Sequence, residues 1–401
     1  MQNIYEIFIA AGEASGDAHA AKLVKAFKEI APDAEFRFFG AAGPKMREAG
    51  VEAIAKSEEM AIVGLLEIAV ALPHFWKIYR NLIKAAEVRK PRAAILVDHP
   101  DFNLKLARIL KKLGIKVFYY ISPQIWAWRS YRLARIKKSV DHVFSILPFE
   151  KGWYQQRGYD SVTYVGNPLV REVHPIIGPQ TFRLESGISD KSRCIALLPG
   201  SRKAEIINNL PIMLAAAKVL LNQVKDLYFF IAAQEGKGQL IAKIVQNFLK
   251  ELENQSNAKD NGSQATLKER LKIIEGNTYD VLASSEAAAV TSGTATLECA
   301  LIGTPQVIVY KTSTLNYSLL RPLIKVPHFG LVNLIAEKRL AVELIQRDFT
   351  PQRLAEEINR LIEPSMNQQI RLQLEQEMKK LGPVGASKRV AEAILELIAD
   401  G

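Results

Sequence analysis

The chain has 401 residues, enough for two or three domains with ample core. Its two cysteines exclude a disulfide framework and fit a reducing compartment, and no apolar run reaches the roughly 18 residues of a membrane span. A surplus of 53 Lys and Arg over 42 Asp and Glu points to an anionic partner. No RNP or C2H2 pattern favours nucleic acid, which leaves an acidic membrane surface or a phosphorylated substrate. Met1 to Gly12 lack the basic region and cleavage site of a signal peptide.

In chain order, Ile4–Ala10 reads as a strand, Gly12-Glu13-Ala14-Ser15-Gly16-Asp17 as a glycine loop, and Ala18–Ile30 as a helix. The loop matches neither a Walker A nor a GxGxxG pattern, so a nucleoside triphosphate or a dinucleotide is weakly supported. Its small residues make either a ligand shelf or a tight turn. Phe36–Phe39 is the next strand, and Gly43-Pro44 opens a helix. Met60–Leu72 is apolar but for Glu67; Trp76 and a basic run from Lys77 and Arg80 to Arg92 follow. That reads as an interfacial membrane element or as a core helix with a solvated face after it.

Ala93–Val97 is a strand, capped by Asp98. A carboxylate there sits where open α/β sheets place ligands, so Asp98 is either a general base or a turn residue. Asp101 is expected to cap the next helix. Lys116–Ile121 leads into Ser122-Pro123-Gln124-Ile125-Trp126-Ala127-Trp128-Arg129. Two Trp beside cations suit a phosphorylated amphiphile, or put rings in the core and charge in water. Strands follow at Asp141–Ile146 and Val162–Val165, and residues 169–192 read as a linker.

The second half begins with the strand Cys194–Leu198, a turn at Pro199-Gly200 and a helix start at Ser201-Arg202. Ser201 is a plausible N-cap, and the amides with Arg202 form an anion site or an ordinary turn. Helices are expected at Leu210–Val224 and Tyr279–Ser285, and strands at Leu227–Ala232, Leu271–Ile274, Ala287–Thr291 and Gln306–Tyr310. Residues 253–266 are polar and resemble a surface insertion. Ser292-Gly293-Thr294-Ala295-Thr296-Leu297-Glu298 opens another helix, with Glu298 placed for a ribose diol or for the helix dipole. His328–Leu334 reads as a loop, and helices close the chain at Pro351–Ile362, Met366–Lys380 and up to Ile398. The histidines lack metal-ligand spacing, so no zinc site is expected. Strand–helix alternation on both sides of the linker predicts two doubly wound α/β halves.

Taken together, these motifs resemble the lipid-A-disaccharide synthase family. Ala11–Asp17, Gly43-Pro44, Asp98 with Pro100–Asn103, Ser122-Pro123 with Trp126–Trp128, Leu147–Glu150, Leu198–Arg202, Ser292–Glu298 and Asn333-Leu334 carry the resemblance across nearly the whole chain. The sequence departs from the family pattern at Asn167, Val332 and Glu337.

The resemblance implies a GT-B fold of two Rossmann-like domains facing a cleft. It sets an acceptor and membrane domain at 1–170, a linker at 171–192, a UDP-sugar domain at 193–365, and C-terminal helices 366–401 packing back on the first domain. It implies inverting transfer from UDP-2,3-diacylglucosamine to 2,3-diacylglucosamine 1-phosphate, without metal or cofactor, at the cytoplasmic face of the inner membrane, with a homodimer admissible. Asp98 would be the base, with Arg202 and Glu13 in the catalytic set. Ser15, Gly16, Gly200, Ser201, Arg202, Ser292, Gly293, Thr294, Ala295, Glu298 and Asn333 would hold the UDP-sugar. Val63, Leu66, Trp76, Lys77, Arg80, Ser122, Trp126, Trp128 and Arg129 would meet the acceptor and membrane. Other UDP-sugar enzymes of the same fold, or a silent UDP-sugar-binding protein, are the rival readings.

Overall fold

The computed structural model describes residues 4–59, 68–255, 267–313 and 326–399. The chain divides into two compact units, Met1–Val170 with Leu381–Gly401, and Arg171–Lys380.

The first unit is built on seven parallel strands: β1 (Ile4–Ala11), β2 (Glu35–Ala42), β3 (Glu52–Lys56), β4 (Ala93–Val97), β5 (Lys116–Tyr120), β6 (His142–Ser145) and β7 (Val162–Tyr164), in the order β3-β2-β1-β4-β5-β6-β7. The central strands are near-continuous apolar runs because helices cover both faces. Ile7, Ile9 and Ala11 of β1 join one core with the helices Ala14–Ile30 and Ala386–Ala399. Phe8 and Ala10 join the opposite core with Ile78, Leu82 and Ala86 of the helix Ile68–Arg89 and with Leu106 and Leu110 of Pro100–Lys112. Alternate side chains of a strand point to opposite faces, so one segment serves both cores.

The C-terminal helix is tied into this unit by Arg389 Nε donating to the Val165 carbonyl at 2.9 Å, and by Lys116 Nζ donating to the Leu397 carbonyl at 2.7 Å. Asn167 donates its amide to the Leu381 carbonyl at 2.9 Å, and its side chain bridges the Ile146 carbonyl and the Leu169 amide.

The second unit holds six parallel strands: β8 (Arg193–Leu198), β9 (Leu227–Ala233), β10 (Leu271–Glu275), β11 (Ala287–Thr291), β12 (Gln306–Tyr310) and β13 (Val342–Ile345), in the order β10-β9-β8-β11-β12-β13. The helix Lys203–Leu221 is one element, begun seven residues before the expected Leu210, with Pro211 inside it. By length and composition it could cross a bilayer, yet Ile206, Leu210, Met213, Leu214 and Leu220 form the core of this unit. Both cysteines are buried packing residues, and burial pushes the Cys194 thiol up to about 12.

Three boundaries differ from the sequence reading. Residues 171–192 are not a bare linker: Phe182 of the helix Pro179–Glu185 packs on Phe230, and Asp280 accepts the Ile176 and Ile177 amides at 2.7 and 2.8 Å. The helix Pro364–Met378 stays with the second unit, because Asn367 and Arg371 bond the Glu286, Leu361, Ser285 and Gly303 carbonyls. His328–Leu334 contains the start of a helix, Leu331–Ala336. The helix Gly238–Gln255 enters the 253–266 stretch, whose remainder lies outside the described residues, as do Val63 and Leu66.

In each sheet the chain reverses direction of travel beside the first strand: β1 lies between β2 and β4, and β8 between β9 and β11. Ligands of such sheets bind beyond the strand C-termini at that switch point.

Candidate active site

At the switch point of the second sheet a cavity of about 580 Å³ gathers the ends of β8, β9, β10 and β11. Its wall includes Gly200, Ser201, Arg202, Ser292, Gly293, Thr294, Ala295 and Glu298, eight of the residues singled out in the sequence. Thr278, Tyr279 and Gln234 also line it. Their sequence signal was slight: a glycine, Gly276, at the end of a strand.

Asn209 holds the floor of this cavity together. Fully buried in the helix Lys203–Leu221, it donates to the Pro199 carbonyl at 3.2 Å and to Thr291 Oγ1 at 3.1 Å, and accepts the Lys311 amide at 3.0 Å. One side chain thus fixes the ends of three strands. An asparagine in an apolar helix gave no sign of that.

The turn after β8 departs from the sequence reading. The N-cap is Arg202, not Ser201, and Glu205 reaches back to accept the Ser201 and Arg202 amides at 3.1 and 3.3 Å. Gly200, at φ +116, has no room for a Cβ, which would lie 2.6 Å from the Glu205 side chain. Two of the amides expected to hold an anion are therefore occupied by the chain's own carboxylate. The Arg202 side chain is 84% exposed at the cavity wall, with its guanidinium 3.7 Å from Glu205 Oε1.

Glu298, one turn into the helix Ala295–Ile302, accepts the Tyr279 hydroxyl at 3.1 Å. Burial raises its carboxyl above the ordinary range, against the Tyr279 hydrogen bond that lowers it. Ser292 donates to the Phe329 carbonyl at 3.0 Å and anchors the neighbouring loop. Asn333, expected at the nucleotide-sugar, is fully buried and saturated: Nδ2 donates to Ala341 O and Glu343 Oε1, and Oδ1 accepts the Leu340 and Ala341 amides, all at 2.8–2.9 Å. It has no capacity left for a ligand. It shapes the loop that Glu343 also holds through the Phe329 and Gly330 amides. Val332 is buried beside it, and Glu337 ends the helix in the left-handed region at φ +57.

At the switch point of the first sheet, β4 is followed by two consecutive left-handed residues, Asp98 (φ +51) and His99 (φ +45). Each costs about 1–2 kcal/mol outside glycine. The Asp98 carbonyl accepts the Tyr119 hydroxyl at 2.6 Å and Asn103 Nδ2 at 2.8 Å, and Asn103 also donates to the Val97 carbonyl at 3.1 Å. Three bonds of about 0.5–1.5 kcal/mol each are of the size needed to offset that strain. These bonds hold the turn through its carbonyls and do not involve the Asp98 carboxyl. Burial raises its pKa, the His99 amide hydrogen bond lowers it, and the Glu13 charge raises it again. Ser15 and Gly16 belong to the first turn of the adjoining helix Ala14–Ile30, with Glu13 as its N-cap. Asp17 is buried and caps a different helix, accepting the Lys45 and Met46 amides at 2.9 and 3.0 Å. That pairing ties the glycine loop to the helix that Gly43-Pro44 opens.

Asp101, the second residue of the helix Pro100–Lys112, does not cap it. It is exposed and ion-paired to Arg129 at 3.1 Å and to Arg132. Arg129 lies 3.8 Å over the ring of Trp128, which is 42% exposed. Trp126 and Ser122 are buried instead, and both donate to Glu150, so neither presents a surface to a partner. Trp76, Lys77 and Arg80 line an open groove on the helix Ile68–Arg89, whose inner face is Ile78, Leu82 and Ala86.

Comparison with known proteins places this geometry. The family model for lipid-A-disaccharide synthetase matches residues 7–397. The chain is 42% identical to the lipid-A-disaccharide synthase of Syntrophus aciditrophicus, with 98% of this chain and 97% of that protein covered. It is 40% identical to that of Myxococcus xanthus, with both chains fully covered. Among solved structures, an S. aureus MnaA–UDP complex superposes with a TM-score of 0.63 at 14% identity, covering 100% and 97% of the two chains. The calicheamicin glycosyltransferase CalG4 gives 0.56 at 13%, covering 99% and 98%. Likeness at that identity shows the fold, which is GT-B.

Proposed function

The chain belongs to the lipid-A-disaccharide synthase family, and from that premise we propose that it moves a 2,3-diacylglucosaminyl group from UDP to the 6-hydroxyl of 2,3-diacylglucosamine 1-phosphate, with inversion. The products are the β-1',6-linked disaccharide 1-phosphate and UDP. Asp98 takes the proton of the 6-hydroxyl as its oxygen attacks the anomeric carbon. The bond to the diphosphate breaks on the opposite face, and UDP leaves with the electron pair. A base of raised pKa, closer to neutral pH than an ordinary carboxylate, suits that transfer.

The observation that carries this reading is the cavity at Gly200–Arg202 and Ser292–Glu298, whose chemistry suits a nucleoside diphosphate. Its volume lies in the range of small-molecule sites. Glu298 would take the ribose hydroxyls. Because Glu205 occupies two amides after Gly200, the diphosphate falls to Arg202 and to the positive N-terminus of the helix Ala295–Ile302. In the first unit, Glu13 at the helix N-cap would tune the Asp98 carboxyl through its charge. The first unit would take the acceptor, with Trp128 and Arg129 against its acyl and phosphate groups.

The helix Ile68–Arg89 would meet the anionic cytoplasmic face of the inner membrane through Trp76, Lys77 and Arg80. Neutralising Lys77 and Arg80 together is expected to lower binding to anionic vesicles severalfold, read by co-sedimentation. Equal sedimentation of variant and parent contradicts that attachment.

The test of the reaction is UDP release from UDP-2,3-diacylglucosamine with and without the acyl-sugar 1-phosphate, in EDTA, with the product weighed by mass spectrometry. Acceptor-dependent release of UDP and a disaccharide supports the reading. Acceptor-independent release indicates hydrolysis or epimerisation, and UDP binding without release indicates a silent binding protein.

A further inference from the structure

The first unit holds a fully buried acid, away from the Asp98 turn, that the reaction above does not use. Glu150 opens the helix Glu150–Gln155 after β6 and is 1% exposed. Its Oε2 accepts the Ile146 and Leu147 amides at 3.3 and 3.2 Å. Its Oε1 accepts the Trp126 indole N–H at 3.0 Å and the Ser122 hydroxyl at 3.3 Å. Four donors converging on two oxygens match an ionised carboxylate. One oxygen holds the end of β6; the other holds the loop that leaves β5. The Tyr154 hydroxyl donates on to Ser122 Oγ at 3.3 Å, so the network extends along the same helix.

The loop so held starts in strain. Ile121 has φ +58, where a β-branched residue is an outlier, and such a residue persists only where its surroundings over-determine it. The far end of the loop is tied elsewhere. Arg129 and Arg132 both pair with Asp101, the second residue of the helix that follows the Asp98 turn. The strand that feeds the loop, β5, also supplies the Tyr119 hydroxyl that holds the Asp98 carbonyl. Glu150 therefore anchors one end of a loop whose other end grips the helix of the candidate base.

We propose that Glu150 is a positioning residue for acceptor transfer: its carboxylate fixes the Ser122–Arg129 loop, and through it Trp128, Arg129 and the Asp98 turn, in the reactive geometry. The proposal rests on the reading of the first unit as the acceptor side. The titratable groups facing Glu150 are Tyr154 on its own helix and Tyr164 on β7, phenols that burial pushes up, Tyr164 to about 12. Burial raises Glu150 itself to about 7, with the Trp126, Leu147, Ile146 and Ser122 hydrogen bonds pulling it down. Protonation as pH falls through that region puts a proton among converging donors and loosens the loop.

The experiment measures acceptor KM and kcat from pH 6 to 8.5, and the UDP dissociation constant, for the full-length parent, Glu150→Gln and Trp126→Phe. In the parent, acceptor KM rises as pH falls through about 7. In Glu150→Gln it is raised roughly tenfold or more at pH 8 and no longer varies through that range, while UDP binding is parental. Trp126→Phe removes one donor, keeps a ring in place, and raises acceptor KM about threefold. It decides the matter if Glu150→Gln fails to fold. Parental acceptor KM and pH profile in folded Glu150→Gln, or parental KM in Trp126→Phe when that variant alone is folded, overturns the proposal. So does a folded Glu150→Gln that loses UDP affinity in proportion to activity. A parent without acceptor-dependent UDP release overturns the functional reading instead.

Discussion

The two sheets share one strand order about their switch points, yet they leave the equivalent strand in opposite ways. After β4 the chain turns through Asp98 and His99, both left-handed, with the strain offset by Tyr119 and Asn103. After β11 it turns through Ser292-Gly293, with Gly293 at φ +154 and open space where a Cβ would stand. A glycine turn exposes backbone, which suits a phosphate or a ribose lying against amides. A strained aspartate turn presents a side chain with its carboxyl half-buried, which suits proton transfer. The proposed roles, binding at one turn and proton transfer at the other, thus differ with what occupies the positive-φ position in two turns of the same topology.

The largest effect that would break this contrast is at Asp98. Asp98→Asn keeps shape and hydrogen bonding but removes the base, and is expected to lower kcat at least about 100-fold. Turnover assays read it, and a parental rate would move the base elsewhere. Glu298→Gln should act on the other turn, weakening UDP by about tenfold, the size of one charge-assisted hydrogen bond. Titration calorimetry checks this; unaltered affinity would leave Glu298 to the helix dipole. The smallest effect sharpens the chemistry. Asp98 must be ionised to act, so kcat falls as pH drops through its raised pKa. The Glu13 charge contributes to that rise, so Glu13→Gln should move the acid limb to lower pH by a fraction of a unit. An unmoved limb would separate Glu13 from the base.

Much of this was legible in the sequence because strand–glycine–helix punctuation is local. Apolar runs, the glycines after them and the carboxylate after β4 mark strand ends, and strand ends form the site. What stayed hidden depends on partners far along the chain. Asp17 meets amides 28 and 29 residues away, and Asn209 ties strands up to 102 residues away. Asn333 and Trp126 read as ligand contacts because amides and indoles do bind ligands; burial turned both inward to satisfy backbone and Glu150. Glu205 was invisible as the occupant of the Gly200 turn, since the same residue three positions into a helix is also an ordinary capping partner.

The division of labour between the two turns is tested most directly by measuring UDP affinity by calorimetry on Asp98→Asn and Glu298→Gln side by side. UDP binding is expected to be parental in Asp98→Asn despite its lost turnover, and weakened in Glu298→Gln. Loss of UDP affinity in Asp98→Asn together with parental affinity in Glu298→Gln would contradict that division.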